Sequence, residues 1–151
     1  RSIAAGLSRV DPAGAPTYQA NCETFARRID ARMKDWQAQA APLKGKQVVT
    51  YHTTWNYFLR RFGMTLANTV EPKPGIPPSA AHLNALIAAM TRERVTLVMT
   101  AGYYPTRFTD LLAREAKATV LTLPTSVGGA KGAEDYFGLF DVTITKLRDV
   151  K

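Results

Sequence analysis

His52 is the residue of this chain best placed to do chemistry. It follows the β-branched run Val48-Val49-Thr50 and Tyr51, and the aromatic segment Thr54-Trp55-Asn56-Tyr57-Phe58 comes directly after. Imidazole is the commonest side-chain metal ligand and binds through a neutral ring nitrogen. The carboxyl end of a strand is also where open α/β sheets bind ligands. The competing reading is a loop histidine satisfied by backbone and water. A second candidate is Ser126-Val127-Gly128-Gly129-Ala130-Lys131-Gly132, a turn whose amide N–H groups could face an anion. It lacks the phosphate-loop spacing of Gly, four residues, then Gly-Lys-Ser/Thr.

Tyr103 and Tyr104 are expected at the same rim, where a hydroxyl can bond a ligand or an outer-shell group. Glu71 could reach the rim too, but a loop salt bridge with Lys73 or an arginine is the expectation. The other histidine, His82, falls just inside a capped helix and is expected at the surface. With two histidines and no Gly-x-Ser-x-Gly elbow, hydrolase chemistry has little to work with, and the expectation is a binding protein, not an enzyme.

These residues need a frame. Residues 1–10 have Ile3, Ala4, Leu7 and Val10 at helical spacing with no start signal. A long helix is expected over 17–41, with Tyr18, Cys22, Phe25, Ile29, Met33 and Trp36 as its core stripe. Strands are expected over 47–51, 64–70, 95–100 and 119–123. Helices are expected over 54–62, 79–92, 105–116 and 133–150. The 71–78 stretch holds four prolines and is read as a loop; Ser79 is the natural cap of the helix after it. Such alternation implies right-handed parallel crossovers. The expected fold is α/β: a three-layer α/β/α lobe with a four-stranded, mainly parallel sheet, preceded by a long helix. Its rim would gather the loops beginning at His52, Glu71, Thr100 and Pro124.

Composition narrows the choices. A chain of 151 residues can bury roughly 68–70% of its unfolded surface. Its single cysteine, Cys22, rules out an internal disulfide or a cysteine-based zinc finger. No apolar run reaches the roughly 20 residues that span a bilayer. The net charge of +8 is scattered, as at Arg27 and Arg28, Arg60 and Arg61, Arg92 and Arg94, Lys131 and Lys146. With no run of like charge and no aromatic interleaving along a strand, nucleic acid is not expected as a partner.

Several segments taken together resemble the solute-binding proteins of bacterial zinc and manganese ABC importers. They are 43–63 (LKGKQVVTYHTTWNYFLRRFG), 71–83 (EPKPGIPPSAAHL), Tyr103-Tyr104-Pro105 and 123–129 (LPTSVGG). The likeness extends over nearly the whole chain. It implies two α/β lobes joined by a rigid helix, with the metal held between them. Residues 1–46 would contain the linking helix and 47–151 the carboxyl-terminal lobe, with the amino-terminal lobe and its histidines absent.

On this resemblance, His52 matches the histidine that the second lobe gives to the metal. Ser126 falls in the loop where many members place an aspartate. Where the most similar branch reads Arg-Glu-Pro-Tyr-Tyr-Pro, this chain has Thr100-Ala101-Gly102-Tyr103-Tyr104-Pro105, so the acid is replaced by Ala101. Zinc takes three or four protein ligands, and the site expected here is incomplete.

The resemblance implies a periplasmic or extracellular, membrane-associated component that feeds zinc or manganese to an importer permease. The missing ligands would come from the absent lobe or from a second copy in a homodimer. The alternative is an anion- or small-molecule-binding module that uses the Ser126–Gly132 loop without metal. A third reading is a basic protein docking on an acidic partner.

Overall fold

In the computed structural model, which describes residues 1–150, the chain forms two compact units, Arg1–Ala38 and Gln39–Lys151. The first holds α1 (Ser2–Val10) and most of α2 (Ala15–Ala40). Asp11 organises the turn between these helices. Its carboxylate accepts the Gly14 N–H at 3.2 Å and the Tyr18 hydroxyl at 2.7 Å. Those bonds, the tyrosine's first, hold Asp11 below the usual carboxylate range.

The stripe expected to be core on α2 is only partly so. Trp36 is fully buried, beneath the Arg32 guanidinium at 5.7 Å. Tyr18, Cys22, Ile29 and Met33 are half-buried, and Phe25 is exposed. Helical period marks a face; it does not say how deeply that face is covered.

The second unit is an all-parallel four-stranded sheet in the order β2-β1-β3-β4. Its strands are β1 (Gln47–Thr50), β2 (Thr65–Thr69), β3 (Leu97–Thr100) and β4 (Thr119–Thr122). The helices are α3 (Asn56–Arg61), α4 (Ala80–Glu93), α5 (Thr106–Glu115) and α6 (Tyr136–Arg148). The α/β expectation therefore holds, and "mainly parallel" sharpens to wholly parallel.

β3 is buried at every position and β1 at its last three, as strands covered on both faces must be. Val49 and Val98 pack with Leu83, Leu86 and Met90 of α4 and Leu112 of α5. The alternate residues Val48, Leu97 and Met99 are buried too, so the other face is also covered. Phe58 of α3 and Phe140 of α6 are ring neighbours at 6.1 Å.

β2 lies at one flank and departs from regular pairing. Val48 pairs with Leu66 but Val49 with Asn68, so Ala67 is an extra residue in the ladder. Beside it, the Asn68 side chain accepts the Thr69 N–H at 2.8 Å, and the ring of His82 reaches the Thr69 carbonyl at 3.0 Å. His82 is thus a half-buried brace between α4 and β2, not the surface residue expected. Ser79 Oγ caps the same helix by accepting the His82 N–H at 3.1 Å.

The turns entering the four strands share one device. Each has a left-handed residue shortly before its strand: Gly45 (φ 82°), Gly63 (φ 71°), Arg94 (φ 56°) and Lys117 (φ 52°). Glycine adopts this conformation freely; a side chain is strained in it.

Candidate metal centre

The rim is assembled by backbone pairing that continues past the ends of the strands. The Tyr51 N–H donates to the Met99 carbonyl (2.9 Å), and the Glu71 N–H donates to the Tyr51 carbonyl (3.1 Å). Thr50 and Thr69 are partners in the β1–β2 ladder. Two residues further on, His52 and Glu71 stand at matching positions with side chains on one face. The Thr50 hydroxyl also bonds the His52 carbonyl at 2.5 Å, fixing the extended backbone there.

His52 Nε2 lies 2.5 Å from Glu71 Oε2, and the two side chains are only 12% and 11% exposed. This overturns the expected loop pairing of Glu71 with Lys73 or an arginine. The imidazole sits edge-on to two tyrosines, 5.3 Å from Tyr51 and 5.1 Å from Tyr104. Those rings stack on each other at 4.2 Å, only 3° from parallel.

Burial pushes the Tyr104 hydroxyl above its ordinary pKa. Its hydrogen bond with Tyr103 adds to the shift, and one with Thr54 opposes it. Burial also raises Tyr51, helped by the Glu71 charge and opposed by Arg107. Both phenols therefore stay neutral, and they form a largely dry wall on one side of the His52–Glu71 pair. Tyr103 packs on Tyr104 at 4.5 Å but is itself 66% exposed. Ala101, where the resembling branch carries an acid, is buried at the end of β3.

Ser126 is exposed, and its side chain makes no hydrogen bond among the described residues; its carbonyl accepts the Gly129 N–H at 3.1 Å. The rest of that loop explains why anion binding is not favoured. The Gly128 N–H donates to the Ala133 carbonyl, 2.7 Å, and the Gly132 N–H to the Glu134 carboxylate, 2.9 Å. The amides of its three glycines are spent internally, and a fixed negative charge occupies one of them.

Among the described residues, no cluster of three or more His, Cys, Asp or Glu side chains could hold a metal ion. The lobe offers two donors, a nitrogen and a carboxylate. Reading the residues put Glu71 at the head of a rim loop but did not pair it with His52. The signal was its place just past β2, as His52 is just past β1, but it becomes a contact only once β2 is known to lie beside β1.

The all-parallel α/β fold is the class of scaffold that solute-binding proteins use, and comparison with known proteins agrees. The family profile of ZnuA, the periplasmic zinc-uptake complex component A, matches residues 1–150, and the chain belongs to that family. The high-affinity zinc uptake system protein ZnuA of Brucella abortus is 31% identical over 84 residues, covering 56% of this chain and 25% of that protein.

Among solved structures, the solute-binding protein FpvC of Pseudomonas aeruginosa, in complex with Mn2+, is 26% identical with a TM-score of 0.82. The match covers 97% of this chain and 55% of FpvC. A ZnuA crystal structure, 23% identical at TM-score 0.80, shares the fold over 98% of this chain and 55% of its own length. The chain thus spans about half the length of these structures. The family is one of metal-transport components rather than enzymes.

Proposed function

We propose that this lobe captures a divalent transition-metal ion, zinc first, between His52 Nε2 and the Glu71 carboxylate, as cargo for an ABC importer. The observation that carries the reading is the buried His52–Glu71 contact against a tyrosine wall. Zinc binds nitrogen at about 2.0–2.1 Å and oxygen at about 2.0–2.2 Å in a tetrahedron, which sets its ligands about 3.3 Å apart. Opening the 2.5 Å contact to that spacing needs less than about 1 Å of side-chain movement. In the empty lobe the two donors satisfy each other; in the loaded one the ion takes the hydrogen's place.

Two donors are too few for tight capture. The remaining ligands are supplied from outside this lobe, by a second lobe or a second copy of the chain. Tyr103 and Tyr104 line the cleft, and Ser126 stands on the last loop of the same rim. An imidazole with a carboxylate suits zinc and also tolerates manganese; the structural relative FpvC is described with Mn2+. The setting is the periplasm, and the receiving partner is a membrane-embedded permease.

Calorimetric titration of the chain with zinc, alongside His52→Ala and Glu71→Gln, tests this. The unaltered chain should bind, His52→Ala should abolish the heat, and Glu71→Gln should weaken it. Equal binding by all three sinks the reading, as does a flat titration of the unaltered chain carried to millimolar zinc, where even two donors should bind.

A further inference from the structure

The far side of the sheet carries a feature that metal capture does not use. Parallel strands bring all four entering turns to one edge. Neighbouring turns are tied there, Gly45 N–H to the Gly63 carbonyl at 2.8 Å and Thr119 N–H to the Thr96 carbonyl at 2.7 Å.

Each turn holds two exposed cations. Lys44 and Lys46 lead into β1, and Arg60 and Arg61 close α3 ahead of β2. Arg92 and Arg94 precede β3, as Arg114 and Lys117 precede β4. The only carboxylates in these turns are Glu93 and Glu115, each engaged by its neighbour: Arg92 at 2.6 Å and Arg114 at 2.8 Å. The other six cations have no carboxylate partner among the described residues.

Cations at helix carboxyl ends complement the helix dipole. That accounts for Arg60, Arg61, Arg92 and Arg114, and for Arg94, which is itself the C-cap of α4, but not for Lys44, Lys46 and Lys117. Arg94 and Lys117 occupy left-handed backbone, where the other two turns use glycine. The chain keeps a long basic side chain at two positions where any side chain strains the backbone. Beside Arg60 and Arg61, lining the same shallow cleft, stands Tyr57, 88% exposed. An amphipathic ring next to arginines is the composition of a membrane–water interface.

We propose that this amino edge docks the lobe on an anionic phospholipid surface. Cations spread over four strands, about 4.8 Å apart, on long exposed stems, fit a planar field of headgroup phosphates. A bound single strand would require a row of stacking rings, which this edge lacks. Docked this way, the rim with His52 and Glu71 faces away from the bilayer, open to the surrounding solution for loading. The contact is electrostatic and reversible, so the lobe can leave the surface to present its rim elsewhere. It stands whether or not the metal reading does.

The test is co-sedimentation of the chain with vesicles of mixed phosphatidylglycerol and phosphatidylcholine, against pure phosphatidylcholine, at low and high salt. The chain should bind the anionic vesicles only and come off at high salt. Lys46→Glu/Arg60→Glu/Arg61→Glu should lower the partition coefficient at least about tenfold. Lys73→Glu/Arg107→Glu/Lys131→Glu, the same charge change at the rim, should lower it less than about threefold. Melting curves confirm that each variant is folded, and single Lys46→Ala and Arg61→Ala variants, with smaller losses in the same order, serve if a triple variant is not. Equal losses in the two triple variants would reduce the effect to net charge and overturn the proposal. So would an absence of vesicle binding at low salt, or binding to polyglutamate without binding to vesicles.

Discussion

The two ends of the sheet solve opposite problems with the same strands. At the carboxyl rim, His52 and Glu71 are nearly buried and fixed by backbone pairing, with the stacked Tyr51 and Tyr104 beside them. At the amino edge, eight cations stand in solvent and most have no carboxylate partner among the described residues. Burial makes each rim residue individually decisive, because a group taken out of water must find its partner or be costly. Exposure makes each edge residue individually minor, so any effect there has to be collective. The proposed chelating end and the proposed docking edge can therefore coexist without either constraining the other's sequence.

The largest expected effect is at the rim. His52→Ala should lower zinc affinity by at least about 100-fold, since even outer-shell partners of a ligand are worth about 10–100-fold; titration calorimetry reads this directly. Next comes Tyr104→Ala, which removes the ring stacked on Tyr51. A loss of about 2–3 kcal/mol is expected in chemical denaturation, whereas Tyr104→Phe should cost less than about 1 kcal/mol.

The contrast then changes sign. Arg94→Gly and Lys117→Gly should each stabilise the lobe by about 0.5–1 kcal/mol, because glycine relieves the left-handed strain, while vesicle binding falls. The smallest effect is Arg61→Ala, with stability within about 0.5 kcal/mol of the parent and unaltered zinc affinity. A change in zinc affinity in any of the three amino-edge variants would break the separation of the two ends.

Much of this frame was legible in the residues. Short β-branched runs such as Val48-Val49-Thr50 can hardly be anything but buried strands, and the prolines of 71–78 left no room for regular structure there. Strand ends then located His52, Tyr103 and Tyr104 on one rim. What could not be read depended on which strands are neighbours and where backbone groups go. The His52–Glu71 contact needs β1 beside β2 in a particular register. The bond from His82 to the Thr69 carbonyl needs α4 docked against β2. Neither order nor docking leaves a trace in local spacing. The 126–132 turn misled for a related reason: composition announces available amides, but only the fold shows them already used. Depth of burial on α2 escaped as well, because periodicity measures direction and not coverage.

The flank of β2 has one further consequence. An outermost strand offers a row of outward N–H and C=O groups to any passing chain, and that row is how sheets from different molecules fuse. In β2, both outward groups of Thr69 are already taken, the N–H by the Asn68 side chain and the carbonyl by His82. The extra residue at Ala67 puts the rest of the row out of phase. The strand is blunted against recruiting a fifth, which makes this flank a poor template for fibrillar self-association.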